Sequence, residues 1–210
     1  MALRVCDTAD CWKIPYTPPE AILAIDWVAE IKRYKTCENV QQRGNRRLDM
    51  SLRHGPPKHQ RLAALLACDF WTHVKQFPAV WRAFDKVAAP RHAPDLPLSN
   101  IIPYKVNAVN VQWSAPRSRS QSMHTDNPSA SYFTALIPIH QPPDTGCTEF
   151  RHRDTVYVPN VQVGNALVFR GDLEHRGLGN KTNDEDRVFA YMSICSVPDE
   201  NVEIYQMYNM

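Results

Sequence analysis

The sequence has no apolar run that approaches the roughly twenty residues needed to cross a bilayer. Its first residues, MALRVCDTADCWK, lack the continuous apolar stretch of a signal peptide. Neither sign of charge dominates, because the formal net charge is only +2 at pH 7, and the charge therefore indicates no particular partner. We expect a soluble, intracellular and cytoplasmic protein that has no membrane partner.

The sequence also lacks the cysteine patterns of a zinc site or a redox centre. None of its six cysteines belongs to a CxxC motif, and none lies in a cysteine–histidine cluster. We expect reduced, mostly structural thiols. A pairing of Cys6 with Cys11 stays open.

The chain divides into two halves of different periodicity, although its length fits one domain covering residues 1–210. Residues 1–98 are predicted to form a mainly helical support. Apolar residues at helical spacing, and the prolines that follow the second and third runs, predict three helices, TPPEAILAIDWVAEIKRY, HQRLAALLACDFWTHVKQF and AVWRAFDKVA. The first is expected to begin at Thr17 as N-cap, with Glu20 at the capping-box position.

The segment between the first two predicted helices, KRYKTCENVQQRGNRRLDMSLRHGPPKHQR, is basic and shows no clear period. We interpret it as a solvated loop. The alternative is a lid or a substrate-contacting segment, since long loops in compact domains are often functional. Its basic residues are Lys32, Arg33, Lys35, Arg43, Arg46, Arg47, Arg53, Lys58 and Arg61.

Residues 99–210 change to short β runs separated by turn residues. The runs are NAVNVQW, SYFTALIPI, DTVYVP, ALVFRG and RVFAYMSI. Helices followed by strands predict an α+β chain. A jelly-roll catalytic core fits the second half, because that fold closes many short strands over a cavity large enough for a site.

His124 and Asp126 stand one residue apart, just ahead of an apolar run. In an extended segment, residues i and i+2 point to the same face, so both side chains could reach one ion. His175 is the best third ligand, because the chain between is long enough to wrap through several strands and return. Two histidines and one carboxylate leave coordination positions open, as in non-haem Fe(II) oxygenases.

A second HxD pattern, His152 and Asp154, competes with this set. It leaves too little chain before His175 for a full wrap of the sheet, and its neighbours are typical of an exposed turn. We therefore prefer the His124 pair, and we interpret His140 and His152 as surface or loop histidines.

The second half resembles the Fe(II)/2-oxoglutarate-dependent dioxygenases, specifically their phytanoyl-CoA hydroxylase-like and prolyl-hydroxylase-like groups. The matching segments are QSMHTD, TALIPI with TGCTEF, VGNALVFRGDLEHRG and RVFAYMSI, in order over about residues 104 to 198. The resemblance implies a double-stranded β-helix, a jelly-roll or cupin-like barrel buttressed by the N-terminal helices. Cys147 departs from the glycine usual in prolyl hydroxylases.

The resemblance further implies that His124, Asp126 and His175 hold Fe(II) and that Arg187 binds the far carboxylate of 2-oxoglutarate. Arginine offers a rigid two-donor fork to a carboxylate. The alternative for Arg187 is a salt bridge with one of the three acidic residues just before it. Gln121 and Thr134 match positions that contact the co-substrate. The implied reaction consumes O2, releases succinate and CO2, and is expected to be stimulated by ascorbate.

The substrate is left open by the sequence. We expect hydroxylation or another oxidation of a small organic molecule, and the residues that could contact it are Trp113, Arg117, Arg119 and Tyr132. Alternation places Tyr132 on the face of Thr134 and Phe133 on the other face. The alternatives are an oxygenase acting on a nucleic-acid base or a protein side chain, and a non-catalytic jelly-roll protein that binds a ligand.

Overall fold

The computed structural model of the protein describes residues 3–5, 10–43, 46–88, 104–126, 132–143, 146 and 148–196. Its helices are α1 (Glu20–Leu23), α2 (Trp27–Arg33), α3 (Pro57–Val74) and α4 (Pro78–Ala88). Its strands are β1 (Leu3–Arg4), β2 (Cys11–Pro15), β3 (Val40–Gln42), β4 (Arg47–Ser51), β5 (Tyr104–Ser114), β6 (Tyr132–His140), β7 (Thr148–His152), β8 (Thr155–Tyr157), β9 (Asn165–Arg170), β10 (Glu174–Gly177) and β11 (Arg187–Ser196).

The described strands form two antiparallel sheets. Eight of them make a large sheet in the order β1-β2-β9-β6-β11-β5-β4-β3, and three make a small sheet in the order β10-β7-β8. An isolated bridge between His124 and His175 adds the His124 segment beside β10. Both halves of the sequence therefore contribute strands to the large sheet.

Alternation along the strands of the large sheet separates two apolar clusters. One face carries Leu136, Phe169 and Phe189, which pack with Phe150 of the small sheet. The rings of Phe150 and Phe169 lie 4.9 Å apart, centroid to centroid. The face of the large sheet that meets the small sheet is therefore called the inner face. The opposite face is available to pack against the helices.

The helices cover that opposite face. Phe133 of β6 is fully buried, and its ring meets that of Phe84 of α4 edge to face at 4.5 Å. The cluster on this side also includes Trp27 and Ile31 of α2 and residues of α3. The predicted α+β class and the predicted support by N-terminal helices are both present.

The predicted first helix is divided into α1 and α2. Pro19, not Thr17, is the N-cap of α1, and it makes no side-chain capping bond. Asp26 caps α2 by accepting a hydrogen bond from the backbone N–H of Ala29 at 3.0 Å. The sequence predicted one helix over residues 17–34 because the helical spacing of apolar residues continues through the break, so the cap at Asp26 was not recognised.

The interpretation of the basic segment as a solvated loop is wrong. The segment contains β3 and β4, and β4 pairs with β5 inside the large sheet. Arg47 at the start of β4 is only 1% exposed. Strands β1, β2, β7 and β10 were also not predicted. Among the described residues, no helix is both long and apolar enough to cross a membrane.

Candidate metal centre

His124 and His175 are direct partners across the edge of the small sheet. The backbone N–H of His124 donates to the carbonyl of His175 at 2.9 Å, and that of His175 donates back at 2.8 Å. This pair of reciprocal hydrogen bonds fixes the two α-carbons side by side. The two imidazole rings lie 4.6 Å apart, centroid to centroid. Two residues distant in sequence thus form one rigid pair.

Both imidazoles are oriented by the same local device. Nδ1 of His124 lies 2.8 Å from the carbonyl oxygen of Ser122, and Nδ1 of His175 lies 2.8 Å from that of Leu173. A carbonyl oxygen can only accept, so each Nδ1 carries the hydrogen. Each Nε2 is therefore left with its lone pair available to a metal ion.

Asp126 completes the group. Its Oδ1 lies 3.5 Å from Nε2 of His175 and 3.8 Å from Nε2 of His124. The hydroxyl of Thr134 on β6 donates to its other oxygen, Oδ2, at 2.5 Å. The carboxylate is thus held from the neighbouring strand while Oδ1 faces the two ring nitrogens.

This donor set fits a divalent metal ion. The three ligand atoms all lie within 4.8 Å of one another, and their chemistry is that of the two-histidine, one-carboxylate triad that binds iron. Burial would raise the pKa of Asp126, but the His175, Thr134 and His124 side chains outweigh it and hold the pKa below its usual value. A deprotonated carboxylate is the form that binds a metal.

The access to this group is one-sided. His175 is buried, with 6% of its side chain exposed, whereas 38% of the His124 side chain and 34% of the Asp126 side chain are exposed. The ring of Phe169 lies 4.8 Å from that of His175 on the inner side. Three ligands of this kind leave positions open on the solvent side for further ligands.

The turn from β9 to β10 holds His175 in place. Arg170 at the end of β9 binds both carboxylate oxygens of Asp172 and lies 3.7 Å from Asp10. The N–H of Gly171 donates to the carbonyl of Tyr132 at 2.7 Å. These contacts link the turn to β6, the strand that also carries Thr134.

Arg187 begins β11 and is fully buried. Its Nη1 donates to the carbonyl of Gly146 at 2.9 Å, its Nη2 donates to the carbonyl of Leu178, and its guanidinium carbon lies 5.7 Å from the centre of the Phe189 ring. Its burial is not that of a surface salt bridge. Phe189 lies in the cluster between the sheets, so Arg187 lies on the inner face.

Arg47 was not singled out by the sequence as a site residue. Arg47 and Arg187 both pair across the sheet with Ser114 of β5. Cross-strand partners share a face, so these three side chains form a row on the inner side of the large sheet. The period-two pattern Arg47, Asp49, Ser51 in RLDMS, which follows a Gly-Asn hairpin signal, could have revealed this strand.

A second polar row lies on the same face. The hydroxyl of Tyr191 donates to Asp49 at 2.6 Å and accepts from the amide of Asn110 at 2.6 Å. Burial raises the pKa of Asp49 above its usual value although the bond from Tyr191 and the charge of Arg43 oppose this. The inner face is therefore polar beside β4 and β5.

The structure places only some of the other predicted site residues near the metal centre. Gln121 accepts a hydrogen bond from the N–H of Gly177 at 2.8 Å, two residues beyond His175. Tyr132 stands on β6 in alternation with Thr134, on the inner face. Arg119 has an exposed side chain, and Arg117 is exposed with its Nε donating to Asn183 at 3.3 Å.

Trp113 was expected near the substrate, but the structure places it on the face of the large sheet that packs against the helices. It alternates with Gln112 and Ser114 on β5 and therefore faces the helices. Its indole N–H donates to Asp186 at 2.8 Å, and the ammonium of Lys32 lies 4.9 Å from the centre of its ring. A strand has two faces, and sequence proximity to a site does not choose between them.

The competing HxD pair lies elsewhere. His152 ends β7, Arg153 has a positive φ of 54°, and β8 begins at Thr155, so His152 and Asp154 flank a hairpin turn. His152 lines a small apolar space with Val5 and Leu173. The metal-ligating group found among the described residues is the one of His124, Asp126 and His175.

Comparisons with known proteins identify the fold. No protein-family model matches the sequence, and no curated protein matches it either. Solved structures do match over most of their length. The 2-oxoglutarate-dependent epimerase SnoN from nogalamycin biosynthesis is 14% identical with a TM-score of 0.60, over 90% of this chain and 78% of that chain.

Two further solved structures extend the comparison. HygX from Streptomyces hygroscopicus, with nickel and 2-oxoglutarate bound, is 13% identical with a TM-score of 0.57, over 91% of this chain and 84% of that one. A prolyl-4-hydroxylase from Pseudomonas putida is 14% identical with a TM-score of 0.51, over 90% and 94% of the two chains. The predicted fold, that of 2-oxoglutarate/Fe(II) oxygenases, is confirmed; these comparisons do not single out the phytanoyl-CoA hydroxylase-like group.

Proposed function

We propose that this protein is a non-haem Fe(II)/2-oxoglutarate-dependent oxygenase that hydroxylates, or otherwise oxidises, a small organic substrate and releases succinate and CO2. The observation that carries the proposal is the metal-binding geometry at the small sheet. The ligand atoms of His124, Asp126 and His175 all lie within 4.8 Å of one another, and each ligand is oriented by a second group. Polar groups that meet by chance would not each need a second group to orient them toward the same space.

The residues divide the work in a simple way. His124, Asp126 and His175 would hold Fe(II), and Thr134 fixes the ligating carboxylate. When bound, Fe(II) and 2-oxoglutarate supply the oxidising chemistry, in which O2 and the keto acid become succinate, CO2 and one oxygen atom transferred to the substrate. Arg187 would bind the distal carboxylate of 2-oxoglutarate with a fork-shaped pair of donors. Gln121 would support this arrangement through the hydrogen bond that it accepts from the N–H of Gly177.

A small-molecule substrate is favoured over a nucleic acid by where the basic residues are used. Arg33 and Lys58 contact Glu30, Arg43 contacts Asp49, Lys32 lies over Trp113, and Arg47 is buried. These contacts involve five of the nine basic residues of that segment, which reduces the charge it offers to a phosphate backbone. HygX has also been solved with hygromycin B bound, and SnoN with nogalamycin RO, which are small molecules.

The proposal is tested by succinate formation from 2-oxoglutarate with Fe(II), ascorbate and oxygen. Slow turnover without added substrate is expected in the wild-type protein and is expected to disappear in His124→Ala. The matched control is His152→Ala, which removes the histidine of the other HxD pair and should leave turnover unchanged. If the wild-type protein neither forms succinate nor binds Fe(II), the alternative of a non-catalytic ligand-binding protein takes its place.

A further inference from the structure

Arg47 is a buried cation whose charge is not neutralised within the described parts of the chain. Its Nη2 donates to the carbonyls of Leu178 at 3.0 Å and Arg119 at 3.4 Å. Its Nε and Nη1 are buried and have no hydrogen-bond partner among the described residues. Burial lowers its pKa from the usual value. Burying an arginine in this way costs free energy of folding unless a further acceptor binds its remaining N–H groups.

Arg47 and Arg187 lie side by side. Both donate to the carbonyl oxygen of Leu178, so their two Nη2 atoms can be no more than about 6.5 Å apart by hydrogen-bond geometry. Ser114 lies between them on β5, and its buried hydroxyl also has no partner among the described residues. Two guanidinium groups and a hydroxyl therefore meet at one place on the inner face.

The same place faces the strand that carries His175. A Cβ on Gly177 would lie 2.5 Å from Oε1 of Gln121 and 3.1 Å from Nη1 of Arg47. Gly177 and His175 are two residues apart on β10 and so share a face. The unpartnered Nη1 thus lies beside Gly177, which is two residues, or about 7 Å at the rise of a β-strand, from His175. Glycine at position 177 leaves room for the guanidinium.

We propose that Arg47 is a second ligand for the distal carboxylate of 2-oxoglutarate, which it binds together with Arg187. This inference rests on the proposed function and adds to it a positive group from the N-terminal half of the chain. A carboxylate has two oxygens and about four lone-pair sites, enough to accept two N–H donors from each of the two arginines. The keto-acid end of the same molecule would then face His175, one of the residues that would hold the metal.

The test compares two keto acids that differ only at the distal end. We would titrate 2-oxoglutarate and, separately, 2-oxopentanoate into Mn(II)-loaded protein by calorimetry, without oxygen chemistry as a readout. Arg47→Gln is expected to lower the affinity for 2-oxoglutarate about tenfold to hundredfold. This is the range expected when hydrogen bonds to a charged group are lost. The affinity for 2-oxopentanoate, which lacks the distal carboxylate, should be unchanged.

Two further variants separate this role from a merely structural one. Arg47→Lys keeps the charge but loses the fork, and we expect it to lie between wild type and Arg47→Gln for 2-oxoglutarate only. Arg46→Gln changes the exposed neighbouring arginine and should bind both keto acids as the wild type does. Mn(II) affinity, measured for each variant, reports whether the metal centre is still folded.

Each other outcome overturns the inference in a recognisable way. If Arg47→Gln and Arg47→Lys both bind 2-oxoglutarate like the wild type, Arg47 does not contact it, and the proposed function stands. If Arg47→Gln lowers the affinity for both keto acids equally, Arg47 acts by supporting the carbonyls of Leu178 and Arg119. If the Mn(II)-loaded wild type binds neither keto acid, the proposed function itself fails and this inference fails with it.

Discussion

Thr134 is the residue whose effect on the metal centre can be isolated most directly. Its hydroxyl donates to Oδ2 of Asp126, but it offers no ligand atom to the group around Oδ1. Thr134→Val removes this bond and nearly preserves the shape. Because second groups of this kind orient the ligand, we expect Mn(II) affinity to fall by about tenfold.

The control for this variant is Thr155→Val, which changes an exposed threonine on β8. It should leave Mn(II) affinity unaltered in the same calorimetric titration. An unaltered affinity in Thr134→Val would show that Asp126 is held by its other neighbours and would remove the role assigned to the hydroxyl.

The two HxD pairs allow the same substitution to be made in two settings. Asp126→Asn replaces a carboxylate beside two imidazoles, whereas Asp154→Asn replaces one in an exposed turn. We expect Mn(II) binding to weaken by more than about tenfold in Asp126→Asn, since a neutral amide is a poorer ligand. Equal affinities in the two variants would contradict the choice of the first pair.

At the scale of single residues, the sequence predicted the side chains whose partners are close by or follow a fixed spacing. His124 and Asp126 share a face because they are two apart in an extended segment. Arg47 was not predicted, because its surroundings come from β5, β10 and β11, which are remote in sequence. The face that Trp113 occupies depends on strand register, which spacing alone does not fix.

Glu30 of α2 and His59 of α3 form the link between two elements of the helical layer. Nε2 of His59 lies 2.8 Å from Glu30, and both residues are buried. Burial would raise the pKa of Glu30, but His59 and Lys58 outweigh it and lower the pKa below its usual 4.5. The stabilisation is therefore present above about pH 4.5 and is lost as the pH falls through the lowered folded-state pKa.

We expect Glu30→Gln to lower the free energy of unfolding at pH 7 by about 1–3 kcal/mol. The difference from the wild type should shrink below pH 4.5, and urea unfolding at several pH values would measure it. Glu38→Gln, at an exposed position just after α2, is the control and should show no such trend. A difference that does not change with pH would mean that the charge of Glu30 contributes nothing.

Phe133 tests the packing of the helices on the large sheet. It is fully buried against Phe84 and faces away from Thr134. Phe133→Ala should lower the free energy of unfolding by about 3–5 kcal/mol, measured by urea denaturation. Mn(II) affinity in the folded fraction should be retained, because the site lies on the other face; its loss would contradict this separation of faces.

Among the elements, the strong periodic runs were predicted, whereas the short strands other than β8 were not. Strands β5, β6, β9 and β11 and helices α3 and α4 follow their apolar patterns. Strand β10, of four residues, has no apolar run of its own, since Glu174–Gly177 is set by pairing with β7. At the break between α1 and α2, the indole of Trp27 donates to the carbonyl of Ile22 at 2.8 Å.

The two halves of the chain are joined in one sheet. Strand β2 pairs with β9, and β4 pairs with β5, so the N-terminal half supplies strands on both sides of the β9-β6-β11-β5 core. We therefore predict a single cooperative unfolding transition for the whole molecule. Tryptophan fluorescence and far-ultraviolet circular dichroism should give the same urea midpoint; separate midpoints would indicate two domains.

For the molecule as a whole, we propose that one site holds a metal ion and 2-oxoglutarate together. The most direct test is anaerobic addition of Fe(II) and then 2-oxoglutarate, followed by visible absorption, where a keto acid chelated to Fe(II) gives a charge-transfer band. We predict a band at one equivalent of each in the wild type and in His152→Ala, and none in His175→Ala. No band in the wild type, or the same band in His175→Ala, would contradict the account.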